Sequence, residues 1–216
     1  MTIIQTEDAL SEGCEVNQGV IYVLKESEIK FIFKNKKIKM DFAELIRHRQ
    51  SDRRYSDKPV EKEKIEMCIE AARLAPSAEN AQPWKFIIID DATIKEKIAD
   101  AASVFGVNRF IHQAPVLAAV VLEKANMLST LGSVIQDKEY PLMDLGIAAI
   151  QFCLQAADIG LGTCIIGWFN EKKVKKILNI DKKKRVPLLI SIGYSESPQR
   201  KKVRKPLEKM SSWNSY

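Results

Sequence analysis

The stretch 142–159, LMDLGIAAIQFCLQAADI, constrains this chain more than any other segment, because it keeps helical spacing while carrying only two charges in eighteen residues. A helix that is apolar nearly all round must be buried, and at this length it can line a subunit interface as well as a core. It falls short of the roughly 20 uninterrupted apolar residues that cross a bilayer, so no membrane span is expected. Gly160-Leu161-Gly162 ends it.

Such a helix needs a sheet to lie on, and the chain supplies candidate strands. Runs at 84–89 (Trp-Lys-Phe-Ile-Ile-Ile), 115–122, 163–168 and 186–193 are rich in Val, Ile and Leu. The continuous apolar character of 84–89 predicts a central strand buried on both faces. Amphipathic helices are expected over 42–46, 61–74 and 94–104, and a Lys-rich one over 171–178. With 216 residues, 46% of them apolar, the chain can build one sizeable core. Residues 1–40 differ in texture: 20–24, 29–33 and 37–40 read as short antiparallel strands. They form a β-rich extension to a main domain at 41–216, and 123–141 reads as polar and irregular.

Charge is unevenly placed. Residues 171–209 hold 14 basic and 4 acidic residues, a local net charge of +10, whereas the remainder is slightly acidic and the whole chain is +6. Such a tail suits a polyanion, a single phosphate or solvent. Aromatic residues are not interleaved with its charges, which argues against nucleic acid. The four cysteines form no CxxC and only two histidines are present, so no metal centre is expected. The first residues show no basic region ahead of an apolar run, so a reduced, cytoplasmic protein without a secretory leader is expected.

No GxGxxG, Walker loop, GxSxG elbow or HExxH occurs, so an enzyme of this sequence must borrow its reactive group from a bound cofactor. Three constellations could hold one. Arg49, Ser51 and Arg53 lie at period two, where two guanidiniums flanking a hydroxyl suit a phosphate, although the same residues suit a solvated turn. In 75–83 (Ala-Pro-Ser-Ala-Glu-Asn-Ala-Gln-Pro), two prolines fix a loop whose small and amide residues suit the polar edge of a heterocycle, or merely a stiff connection. In 160–169 a strand ends on Gly167, where a backbone N–H can reach a ligand unobstructed. Lys202 and Arg204 in the tail share a period of two.

Taken in order, the segments RQSDRRY (49–55), APSAENAQPW (75–84), GLGTCIIG (160–167) and RKPLE (204–208) resemble the FMN-dependent nitroreductase family, over about 42–210. That resemblance implies an α+β fold, a three-layer sandwich with a mixed, mainly antiparallel sheet flanked by helices, in an intertwined homodimer with FMN sites at the interface. It implies that Arg49, Ser51 and Arg53 hold the phosphate and ribityl chain, with Gln50 near the flavin ring and Lys202 and Arg204 completing the phosphate site. Pro76, Ser77, Ala78 and Asn80 would come from the other subunit. Ile165, Ile166 and Gly167 would run along the ring, with the Gly167 N–H near N5, and Asp144 would stand at the pocket rim. The implied activity is reduction of a nitroaromatic, quinone or related small-molecule acceptor by NADH or NADPH through FMN, with ping-pong kinetics. A flavin-dependent dehalogenase or a flavin-degrading enzyme would use the same scaffold, and an anion-binding module would use only the tail. Gln50 stands where the family commonly has Arg.

Overall fold

Seven residues, Val-Leu-Ala-Ala-Val-Val-Leu, form the middle of the main sheet, and their alternation divides the core in two. The computed structural model describes residues 15–17, 20–22, 40–123 and 138–216. By its internal contacts the chain divides into two units, Met1–Lys39 and Met40–Tyr216. In the first, β1 (Glu15–Asn17) pairs antiparallel with β2 (Val20–Tyr22), which overlaps the expected strand 20–24. The expected strand at 29–33 and most of that at 37–40 lie outside the described residues, as does 124–137.

In the second unit the elements run α1 (Phe42–His48), α2 (Lys62–Arg73), β3 (Trp84–Ile89), α3 (Ala92–Ala102), β4 (Val116–Leu122), α4 (Tyr140–Asp158), β5 (Gly162–Ile166), α5 (Glu171–Ile177) and β6 (Arg185–Gly193). The sheet order is β3-β4-β6-β5, with every neighbour antiparallel. Among the described residues the parallel component is a single bridge, Ser51 to Thr163, beside β5.

Successive side chains on a strand point to opposite faces. Val116, Ala118 and Val120 of β4 therefore pack with Ile190 and Ile192 under α2 and α4, against Cys68, Ala72, Ala149 and Phe152. Leu117, Ala119 and Val121 face the other way, onto Ile98 and Ala102 of α3 and Val174 of α5. The result is a three-layer sandwich. The long apolar helix appears as α4, which buries Leu145, Ala148, Ala149, Phe152, Cys153 and Ala156 against the sheet. Its other side leaves Met143 and Ile147 exposed.

The strand at 84–89 departs from expectation by lying at the edge of the sheet. Its apolar run reflects burial of its two faces, with Phe86 stacked on Phe152 at 5.3 Å between ring centroids and Ile87 packed on the α3 side. Face burial and position in the strand order are separate properties, and composition reports only the first. Pro187 sits inside central strand β6, where it can donate no ladder hydrogen bond. The β4–β6 register shifts there, between the pairs Val120–Leu188 and Leu122–Arg185. Among the described residues no helix is long and apolar enough to cross a membrane.

Candidate functional site

A capping box starts α1: Asp41 Oδ1 accepts from the Glu44 N–H at 2.7 Å, while Glu44 accepts from the Asp41 N–H. The helix stops at Arg49, whose backbone turns extended. The chain then passes alongside β5, the Asp52 N–H donating to the Thr163 carbonyl at 2.9 Å. It next pairs with the segment following β6: Ser56 N–H donates to Tyr194 O, Glu196 N–H donates to Arg54 O, and Tyr55 bridges Ser195. Residues 50–56 are therefore clamped between a strand and the start of the basic tail. Sequence positions some 150 apart meet here.

The meeting concentrates positive charge. Lys202 Nζ donates to the Arg49 carbonyl, Arg200 donates through Nη2 to Ser51 O at 2.6 Å, and Gln199 donates to the carbonyls of Arg47 and His48. Partial burial and then the neighbouring charges of Arg49, Arg204 and Arg200 push the Lys202 ammonium below its usual pKa. Among the described residues no carboxylate pairs with any of these four cations. Arg53 is turned over the Phe110 ring, 5.8 Å from its centroid, and its N–H donates to Ser197 Oγ.

The amide of Gln50 is used inside the chain. Its Nε2 donates to Asp52 Oδ1 and Pro198 O, and its Oε1 accepts from the Arg200 N–H. A cavity of about 70 Å³ opens at this corner, lined in part by Arg49, Gln50, Asp52, Ala157 and Thr163. The nearby Cys153 thiol is pushed up to about 11 by burial, and that of Cys164 is raised for the same reason. Neither has the lowered pKa of a nucleophilic thiolate.

β5 places Ile165 half-buried, Ile166 buried and Gly167 exposed at its end. A Cβ on Gly167 would meet nothing within 4 Å, so packing within the protomer does not demand glycine there. At Gly162, by contrast, a Cβ would lie 2.7 Å from Ser195 Cβ and 2.8 Å from Asp52 Oδ2. That glycine is required by the close approach of the clamp.

The 75–83 loop stands apart. Pro76 and Asn80 are exposed, Ser77 and Ala78 half-buried. Glu79, Asn80 and Gln82 all have positive φ, between 45° and 52°, a conformation uncommon outside glycine. Two anchors hold it: Ser77 Oγ accepts from the Gln82 N–H at 2.9 Å, and the buried Asp144 carboxylate accepts from the Ala78 N–H at 3.1 Å. Asp144 thus acts from the first turns of α4. The cation corner lies at the other end of that helix, near Ala157, about 20 Å away at 1.5 Å per residue. One protomer brings 49–53, β5 and 200–204 together and leaves 75–83 remote from them.

Asp52, Ser195 and Arg200 join the site only in the structure. Arg200 continues the period of two set by Lys202 and Arg204, and that spacing could have flagged it. No local signal marks Asp52 or Ser195, whose contact spans 143 residues.

A sequence model of the nitroreductase family matches residues 46–105 and 101–194, which include the 49–56 segment, β5 and the 75–83 loop and stop where the basic tail begins. YdgI of Bacillus subtilis strain 168, whose name proposes an NAD(P)H nitroreductase, is 28% identical over 204 residues, covering 80% of this chain and 97% of its own length. An oxygen-insensitive NADPH nitroreductase of Helicobacter acinonychis is 29% identical over 180 residues, with 70% and 85% covered. Among solved structures, an FMN-dependent nitroreductase of Clostridium difficile R20291 superposes with a TM-score of 0.64 at 30% identity, over 80% of this chain and 98% of that one. On these matches, and on the three-layer sandwich that carries them, this chain belongs to the nitroreductase family.

Proposed function

We propose that this chain is an NAD(P)H-dependent FMN oxidoreductase that reduces nitroaromatic, quinone or related electron-poor acceptors. The observation that carries the reading is the cluster of Arg49, Arg200, Lys202 and Arg204. Four cations drawn together, with no carboxylate paired to them among the described residues, repel one another; partial burial and then that repulsion lower the Lys202 pKa, and a phosphate dianion relieves the repulsion. The open space at Gly167 adds to the fit, because a planar ring can approach the end of β5 where a side chain would block it.

On this reading Arg49, Lys202 and Arg204 bind the FMN phosphate. Ser51 and Arg53 border the ribityl chain, and Ile165, Ile166 and Gly167 border the ring. The Gly167 N–H is a donor free of side-chain cover, suited to a hydrogen bond at N5. Gln50 acts by ordering the tail, since its amide is already engaged. When bound, FMN supplies hydride acceptance from NADH or NADPH and electron delivery to the acceptor. One pocket used in turn by both substrates gives ping-pong kinetics.

A homodimer completes the site on this reading. Asp144, which holds Ala78, stands about 20 Å along α4 from the cation corner within one protomer, so on this reading a second copy presents Pro76, Ser77, Ala78 and Asn80. Exposed Phe42, Ile46, Met143 and Ile147 supply apolar surface for that contact. Buried thiols and charged outer faces agree with a cytoplasmic setting. The test is the absorbance spectrum of the purified protein with added FMN, followed by anaerobic titration with NADH and NADPH. A flavin spectrum that survives dialysis and bleaches with either nucleotide is expected. A chain that neither binds FMN nor consumes reductant overturns the proposal.

A further inference from the structure

Asp52 is a carboxylate only 6% exposed, set beside a concentration of cations, yet among the described residues no Lys or Arg pairs with it. Its Oδ1 accepts instead from two neutral donors, Ser195 Oγ at 2.6 Å and Gln50 Nε2 at 3.0 Å. Ser195 belongs to the tail segment and Gln50 to the segment after α1. Gln50 in turn accepts through Oε1 from the Arg200 N–H at 3.1 Å, and Arg200 reaches back to Ser51 O at 2.6 Å. A single carboxylate oxygen thus gathers both cation-bearing segments.

Asp52 is itself held firmly. Its N–H donates to Thr163 O, and its carbonyl accepts from the Tyr55 hydroxyl at 2.8 Å. Its other carboxylate oxygen lies so close to Gly162 that a Cβ there would come within 2.8 Å. The backbone of β5 therefore acts as a wall behind the carboxylate, and the direction of its acceptor oxygen is fixed.

We infer that Asp52 is the positioning residue of the phosphate site, holding Arg49 and the 200–204 tail in register through Ser195 and Gln50. This inference rests on the FMN reading above. It makes an unusual demand on sign. By charge alone, an anion near the cations weakens phosphate binding, so neutralising it should raise affinity. By position, neutralising it should lower affinity, because a neutral amide oxygen accepts more weakly from Ser195 and Gln50 than the carboxylate Oδ1 does, and the amide N–H group that replaces Oδ2 is pressed against the backbone at Gly162.

The experiment compares FMN with riboflavin, which lacks the phosphate, by flavin-fluorescence quenching on the full chain and its D52N and S195A variants. Circular dichroism and thermal unfolding are run alongside. D52N is expected to lower FMN affinity by about 10- to 30-fold while riboflavin affinity changes by less than about twofold. S195A removes one donor without altering charge, and should produce a smaller loss of the same phosphate-selective kind, which keeps the inference testable if D52N fails to fold. Equal losses for both ligands, an unchanged ratio, or a gain in FMN affinity would overturn the positioning role while leaving the FMN reading intact. A wild-type chain that binds neither ligand would overturn both.

Discussion

The two ends of α4 contrast in how their polar groups are satisfied. Near Ala157, the clamp of 50–56, β5 and 194–200 is internally satisfied: Gln50, Asp52 Oδ1 and Ser195 all have hydrogen-bond partners in the chain, while among the described residues neither the four cations nor Asp52 has an opposite charge paired with it. Near Asp144, three non-glycine residues hold left-handed backbone in an exposed loop, and Met143 and Ile147 face outward. The first end is shaped before any ligand arrives. The second holds its strained backbone through Ser77 and Asp144, and on the dimer reading proposed above its exposed side chains meet a second copy.

Glycine substitutions should break this contrast most sharply. Gly162→Ala drives a Cβ into Ser195 and the Asp52 carboxylate, so we expect about 3 kcal/mol of destabilisation in denaturant unfolding. Gly167→Ala meets nothing and should leave unfolding unchanged, while weakening flavin binding by crowding the ring. Equal stability costs at the two positions would mean that β5 does not separate a structural end from a ligand end.

The cations come next. Arg204→Ala should lower FMN affinity by about 2 kcal/mol, the scale of a charge-assisted hydrogen bond, with little change in riboflavin affinity. Retention of FMN through dialysis equal to that of the wild type would place Arg204 outside the site. The other end of α4 should behave oppositely. Asp144→Ala leaves the Ala78 N–H without its acceptor and should cost about 1 kcal/mol in stability, with faster hydrogen exchange confined to 76–82. If that loop covers a partner's flavin ring, FMN and riboflavin should lose affinity equally, which separates ring contact from phosphate contact.

What could be read from sequence divides along the same line. α4, β4 and β6 were legible because burial leaves a periodicity or a run of apolar residues that survives in one dimension. The edge position of β3 was not, because a strand covered on both faces has the same composition wherever it lies in the sheet. Arg49, Lys202 and Arg204 could be named from spacing and from a family resemblance. Asp52 could not, because its role is defined by Ser195, 143 residues away, and by a glycine wall that no local pattern announces. For Asp144 the family resemblance implies only a place at the pocket rim. Its hold on Ala78 spans 66 residues and appears only when the fold closes.

The smallest expected effect concerns pH. Burial and three neighbouring cations hold the Lys202 pKa below its unfolded value of 10.5, so in the window just below 10.5 the unfolded chain binds more protons than the folded one. Stability therefore rises with pH through that window, as the charge that folding disfavours is released. The lysine is largely solvated at its surface, so the effect should be slight and should shrink with added salt. Inorganic phosphate should remove it, because an anion among Arg49, Lys202 and Arg204 restores the charged form of the lysine and returns its pKa toward the ordinary range. Thermal unfolding followed from pH 8 to 10 should show the rise in the wild type, its loss in Lys202→Met, and its suppression by phosphate. Asp144→Ala, acting at the far end of α4, should leave that slope as it is, and a slope that changed with Asp144 would show that the two ends do not act independently.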